Sequence, residues 1–270
     1  MAVTDITLTS GMRSNLLSLQ GTVELLNRTQ ERLASGKKVN SPLDNATNYF
    51  VAKSHLDRAG DLAVRKDGMG EAIQTVKAAN AGIEAIQQLI ESAKGIAQSA
   101  YSSGASGRET LAAQFDEMMT QIDNIAADAG YKGANLLDGD DLTVVFNEDG
   151  SSDLTISGFS ADSSGLAIAA AQADWVADTD IDPALEELDA ALEVLRSNSQ
   201  VLSANLNIVT TRNEFTEGMT NILSEGADKL TAADTNEEGA NMLMLQVRQA
   251  LGTTALSLSA QAAQSVLRLF

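Results

Sequence analysis

One histidine, His55, and a complete absence of cysteine restrict the chemistry open to these 270 residues. A Ser-His-Asp relay would have a single candidate base. His55 stands in "VAKSHLDRAG", a helical stretch with no strained turn to present a nucleophile, so it reads as an ordinary helix-surface or interface histidine. A two-histidine zinc motif is excluded by count, and a disulfide framework or thiolate metal site by the lack of thiols. Asp178, Asp180 and Asp182 have the odd-position spacing of a calcium loop. Pro183 falls where that loop needs glycine, however, and Asp189 where it prefers glutamate, so helix capping and solvation explain these acids better. Gly68-Met69-Gly70 lacks the rest of a dinucleotide loop and precedes no strand-helix unit; a flexible spot in a helix is the better reading. These residues predict no catalytic site, no metal and no cofactor.

The function must then lie in the elements themselves. Aromatics make up only 4% of the chain and Pro is limited to Pro42 and Pro183, while 44% of residues are apolar, which favours long helices with small, repetitive contact surfaces. The net charge of -19 is uneven: no Lys or Arg occurs between Gly133 and Leu195, and no acid between Gly239 and Phe270. Mid-chain acidity argues against nucleic acid as a partner and predicts a solvated outer surface there, with the near-neutral ends packed inward. The N-terminus lacks a basic region followed by an apolar core, and no run approaches the ~18 apolar residues of a membrane helix. Export, if it occurs, is expected without a cleaved signal.

Helical period dominates the chain. Leu16, Leu19, Val23, Leu26 and Leu33 form one stripe. Gly36 is expected to end that helix and Ser41-Pro42 to start the next, with Ser41 as N-cap, which makes "SGKKVNSPLD" a hinge. A helix of about sixty residues, roughly 90 Å long, follows, with a strict seam at Ile83, Ile86, Ile90, Ala93, Ala97 and Ala100. After the "SSGAS" turn, Ser106 and Glu109 have the spacing of a capping box. The next stripe is Leu111, Phe115, Met118, Ile122, Ile125 and Ala129.

The period then changes to two. Val144 and Phe146 alternate against Leu154 and Ile156 around "NEDGSS", a β-hairpin signal. Residues 160–180 carry no assignable pattern. Asp182-Pro183 is expected to cap the next helix, whose heptad stripe runs from Leu185 through Leu188, Leu192, Leu195, Leu202 and Leu206 to Val209 and ends near Gly226. A second hinge carries Thr235 and Glu238 at capping-box spacing. The last helix shows Val247, Leu251, Ala255, Leu258, Ala262, Val266 and Leu269 as a stripe.

The order is symmetric in kind: short helix, hinge, long helices, hairpin, long helix, hinge, short helix. The fold predicted is mainly α, an elongated antiparallel helical coiled-coil bundle with a small β-hairpin at the chain midpoint and the N- and C-terminal helices paired. Pairing two helices leaves Leu17, Leu25, Leu256 and Leu267 bare, and the chain closes on apolar Leu267, Leu269 and Phe270. Neighbouring copies are the natural cover. The few Lys and Arg on these helices' polar faces suit partner helices more than anionic lipid, so no membrane partner is expected.

Three segments resemble bacterial flagellins: "LNRTQERLASGKKVNSPLDNATNYFVAKSH" the N-terminal signature, "GYKGANLLDG" the segment closing the N-terminal half, and "NMLMLQVRQALGTTALSLSAQAAQSVLRLF" the C-terminal signature. The resemblance covers roughly residues 1–140 and 180–270. It implies a secreted, self-polymerising filament subunit of the extracellular flagellum, exported by the flagellar type III apparatus. Its partners would be copies of itself, an export chaperone on the C-terminal helix, a filament cap and hook-associated proteins. Residues 1–40 and 229–270 would make an inner tube-lining domain, 41–137 and 181–228 a long-helix core, and 138–180 the hairpin and a short acidic loop with no large outer domain. The subunit-packing residues are then Leu16, Leu19, Val23, Leu26, Leu33, Val247, Leu251, Leu258, Val266, Leu267, Leu269 and Phe270, and the hinge residues Gly36, Ser41, Pro42 and Thr235.

This chain departs from the family pattern in places. Tyr131-Lys132-Gly133 replaces the usual Phe-Asn-Gly, and Glu91 and Gly95 stand where an Arg and a Leu are typical, which argues against toll-like receptor recognition. Ser151, Ser152, Ser157, Ser160, Ser163 and Ser164 are candidate O-glycan acceptors by expected exposure, set against the plainer reading of turn serines. A hook-filament junction protein and a soluble adhesion or immune-signalling ligand are the alternative functions.

Overall fold

The computed structural model describes residues 10–267, with the side chains of 263, 266 and 267 outside the description. It is mainly helical, as the periodicity predicts: α1 (Ser10–Ser35), α2 (Ala46–Tyr101), α3 (Ala105–Asp128), β1 (Leu142–Val145), β2 (Asp153–Ile156), α4 (Asp178–Thr231) and α5 (Thr235–Leu267). The chain divides into two compact units, Arg58–Asn221 and the two ends, Met1–Asp57 with Ile222–Phe270; α2 and α4 contribute to both.

The unit Arg58–Asn221 holds one core. The α2 seam from Ile83 to Ala100 is fully buried and meets Phe115 and Ile122 of α3 and Leu188 and Leu195 of α4. Burying each of the Ile, Phe and Leu side chains stabilises by about 1.5–3 kcal/mol. Contacts between α2 and α4 keep an antiparallel register: Tyr101 donates to Asp182, Lys94 pairs with Asp189, and Lys66 pairs with Glu217 at 3.1 Å. Gly82 lets the segment after α3 come close, because a Cβ there would lie 2.7 Å from Leu137 Cδ1.

The hairpin forms where the alternation places it, pairing Val144 with Leu154 and Leu142 with Ile156, and buries Val144, Phe146 and Ile156. It is hung from α3 by Asn135. That side chain's Nδ2 donates to the carbonyls of Ala126 (2.8 Å) and Ala127 (3.1 Å), which the helix end leaves unpaired, and its Oδ1 accepts from Leu137 N–H at 3.0 Å.

Residues 160–177 are a pinned loop with a tight turn at Gln172–Trp175, in which Ala173, Asp174 and Trp175 adopt positive φ of 46, 50 and 54°. Trp175 is fully buried against Phe115, ring centroids 5.0 Å apart. Three carboxylates accept the loop's backbone N–H groups: Asp123 from Ser163 at 2.7 Å, Asp116 from Ala171 at 2.8 Å and Glu187 from Ala169 at 2.8 Å. Part of the acidity expected to serve solvation thus has an internal task.

Several helix starts differ from expectation. Gly104, not Ser106, is the N-cap of α3, and no side chain caps it, so the Ser106–Glu109 box does not form. Helix α4 starts at Asp178, before Pro183, and runs on to Thr231. Asp182 is therefore inside the helix and accepts from the Tyr101 hydroxyl instead of capping. In both places the helix starts earlier than the cap read from the sequence, and α4 does so with Pro183 inside it.

Candidate functional site

The two terminal helices, α1 and α5, pack against each other antiparallel. Arg32 near the end of α1 meets Glu238 in the first turn of α5 at 2.8 Å, and farther along Leu19 lies over Gly252, where a Cβ would come within 3.1 Å of its Cδ1. On α1 the covered face is Met12, Asn15, Leu19, Thr22, Leu26, Thr29 and Leu33, a strict heptad with three polar members; Thr22 meets its own requirement by donating to Ser18 O at 2.8 Å. On α5 it is Glu238, Met242, Leu245, Gln249, Gly252 and Leu256. Half of this seam is polar or glycine.

The α5 stripe read from the sequence lies on another face. Val247, Leu251 and Leu258 are 60, 66 and 62% exposed, and Ala255 and Ala262 are exposed with them. Leu256, expected to be bare, is half-buried in the seam. The reason is that apolar residues are spread around α5 with no single apolar face, so heptad spacing identifies a helix there without fixing which face meets α1. Leu243 and Met244, 66 and 53% exposed, extend the outer row, and the interval of four in Leu243, Val247 and Leu251 was the signal for it. On α1, Leu26 is buried and Leu19, Val23 and Leu33 half-buried, while Leu16, Leu17 and Leu25 are exposed. Leu269, Phe270 and the side chains of Val266 and Leu267 lie outside the described residues.

The two hinge segments are joined to each other. Lys37 and Ala232 form an antiparallel bridge; Lys38 N–H donates to Thr231 O at 2.7 Å and Ala233 N–H to Gly36 O at 2.9 Å. Gly36 ends α1 with φ +69°, a left-handed conformation that costs glycine little. Ser41 and Pro42 do not start α2. They form a turn whose donors, Asn40 N–H (3.1 Å), Ser41 N–H (3.0 Å) and Ser41 Oγ (3.2 Å), converge on one oxygen of Asp44, and Asn45 caps the helix by accepting from Asn48 N–H at 3.0 Å. The hydrogen bond from Ser41 N–H, helped by that from Asn40, holds the Asp44 carboxyl below its usual range. At the second hinge Asp234, not Thr235, caps α5, accepting from Asn236 N–H at 2.9 Å and Glu237 N–H at 3.2 Å. Glu238 is thereby free to meet Arg32. A different residue took the cap in each case, Asn45 in place of Ser41 and Asp234 in place of Thr235.

The other candidates have ordinary surroundings. His55 is half-buried beside Gly226. Asp178, Asp180 and Asp182 bond three different partners, Arg108, Ala177 N–H and Tyr101. Met69, between the two glycines, is buried in an unbroken α2. Among the described residues no group of three or more His, Cys, Asp or Glu is placed to hold a metal ion, and no helix is long and apolar enough to cross a membrane. Of the six serines, Ser151 and Ser160 bond Asp149 and Asp162, at 2.8 and 2.7 Å, Ser152 and Ser163 are half-buried, and Ser157 and Ser164 are exposed.

The profile of the family described as the bacterial flagellin N-terminal helical region matches residues 7–141. Flagellin FljM of Caulobacter vibrioides is 30% identical to this chain over 280 residues that cover 100% of both. The flagellin of Brucella melitensis is 29% identical over 268 residues, 94% of this chain and 95% of its own. The crystal structure of Bacillus cereus flagellin aligns with 55% of this chain and 88% of its own, at 16% identity and a TM-score of 0.48. Matched by the profile over half its length and by a relative over all of it, the chain belongs to the bacterial flagellin family.

Proposed function

We propose that the chain, a structural subunit of the extracellular flagellar filament, polymerises through the apolar faces that its terminal helix pair leaves uncovered. The observation that carries this is the outer row Leu243, Val247, Leu251 and Leu258, each at least 60% exposed on a helix whose other face is already packed. Apolar area of that kind on a chain with net charge -19 is stabilised only when another surface covers it. Residues 1–40 and 229–270 then act as the inner, tube-lining part and the long helices as the core around it. Ordering of the terminal helices accompanies addition to the filament. By family likeness an export chaperone holds the C-terminal helix before assembly, and cap and hook-associated proteins bound the filament at its ends.

Seeded polymerisation followed by sedimentation and electron microscopy tests the reading. Wild-type chain should grow micrometre filaments, and Val247→Asp with Leu251→Asp should grow none while monomer helicity stays unchanged. Filaments of normal length from that variant would sink the proposal. Complete amide protection of residues 10–40 in the isolated monomer would remove the coupling of ordering to assembly.

A further inference from the structure

The hairpin has a free edge. In its antiparallel pairing Leu142 faces Ile156 and Val144 faces Leu154, and Phe146 N–H donates to Ser152 O at 2.8 Å. Hydrogen-bonded positions alternate along such a ladder, so Thr143 and Val145 direct their N–H and C=O groups away from β2. Among the described residues nothing bonds to those groups. An edge of this kind is a template for a further strand.

Beside it lies a groove of about 340 Å³ between β1 and α2, lined also by the Tyr131–Ala134 turn. The α2 wall is small: Gly68 and Ala72 line it, and a Cβ added at Gly68 would meet nothing within 4 Å. Val64, 67% exposed, adds an apolar surface. The four residues of β1 give an edge of about 14 Å.

Charge selects the occupant. The charged side chains lining the groove are Arg65, Glu71 and Lys132. Lys132 pairs with Glu71 at 3.1 Å, and its bond, with one from the Tyr131 hydroxyl, holds the Glu71 carboxyl below the usual range. Arg65 is half-buried and, among the described residues, has no carboxylate partner. One uncompensated cation remains, on a chain whose net charge is -19. It favours an incoming carboxylate. The outer edge of β2 runs instead past exposed Asp153 and Thr155, and repels one.

We infer that β1 takes an extended acidic segment of another protein as a third strand, its main chain bonded to Thr143 and Val145, a carboxylate on Arg65 and an apolar side chain against Val64. This does not rest on the polymerisation reading, because its residues lie apart from α1 and α5 and it is measured on unassembled chain.

The probe is a short fluorescein-labelled peptide of alternating valine and glutamate, titrated with unassembled full-length chain and followed by anisotropy. Binding should saturate, and replacing glutamate by lysine in the peptide should weaken it roughly tenfold. Val145→Pro removes an edge N–H that the hairpin does not use, and Gly68→Leu fills the groove from a helix that tolerates leucine better than glycine. Each should weaken binding roughly tenfold with unchanged circular dichroism, whereas Thr155→Pro on the other edge should leave it unaltered. Absence of saturable binding, a lysine peptide bound as tightly as the glutamate one, or full binding to Gly68→Leu overturns the inference. A fall in anisotropy as chain concentration rises further would give the groove to a second copy of the chain and overturn it too. Polymerisation on seeds is untouched by any of these outcomes.

Discussion

Inside Arg58–Asn221 one core takes up most of the large apolar side chains, with Ile83, Ile86, Ile90, Phe115 and Trp175 at most 1% exposed, while Val201, Ile208 and Phe215 of α4 stay outside it. In the α1–α5 pair, Met12, Leu26 and Leu245 are the buried apolar members, Thr22, Thr29 and Glu238 share the seam, and Leu243, Val247, Leu251 and Leu258 stay outside. Both regions use the same heptad grammar. They differ in where most of the free energy is gained: the first gains the larger part on folding, whereas the second retains the larger part, area worth about 1–2 kcal/mol per side chain, for a surface outside the chain. A weak, partly polar seam and a strong outer row together describe a helix pair suited to association.

That contrast can be broken in graded ways. Ile86→Asp places an unpaired charge in a fully buried seam and should cost more than about 4 kcal/mol, seen as loss of the cooperative melting transition. Trp175→Ala should cost about 3–5 kcal/mol, measured by urea unfolding with circular dichroism, because the cavity opens against Phe115. Glu238→Gln should cost roughly 1–3 kcal/mol by weakening a charge-assisted bond to Arg32, with the loss in amide protection, measured in assembled filaments, confined to α1 and α5. Leu251→Asp, at an exposed site, should shift stability by less than about 0.5 kcal/mol and still reduce polymer yield; a large drop in melting temperature would show that the outer row is already packed in the monomer.

The smallest effect is expected at the first hinge. The carboxyl of Asp44 is depressed by the Ser41 and Asn40 N–H bonds, so its stabilising contribution is present above the unfolded value of about 3.9 and lost as pH falls through the lower folded value. Amide exchange at residues 40–48 should rise only in that acid window. Asp44→Asn should remove the pH dependence, and an unchanged profile in that variant would assign it to another group.

What could be read in advance followed from periodicity. The α2 seam, the hairpin alternation and the helical termini came from spacing alone, and Gly36 marked the end of α1 because a left-handed residue there favours glycine. Helix starts were less legible. Ser41, Thr235, Ser106 and Asp182 are all good caps by type, yet Asn45, Asp234 and Gly104 stand at the caps of α2, α5 and α3, since competing acceptors a few residues apart differ by less than packing can supply. Residues 160–180 gave no pattern because their order comes from Asp116, Asp123 and Glu187, which lie on other helices. The bond from Asn135 to the end of α3 was hidden for the same reason.

The sequence by itself determined the element types, the order of the helices and the presence of more apolar helix surface than one chain can bury, because these depend on spacing and composition, which are local. Tertiary structure decided which face of α5 meets α1, how the two hinges bond to each other and which acids hold the midchain loop. A helix whose apolar residues are spread over more than one face can rotate without violating its own pattern, so its phase is fixed only by the partner it packs against.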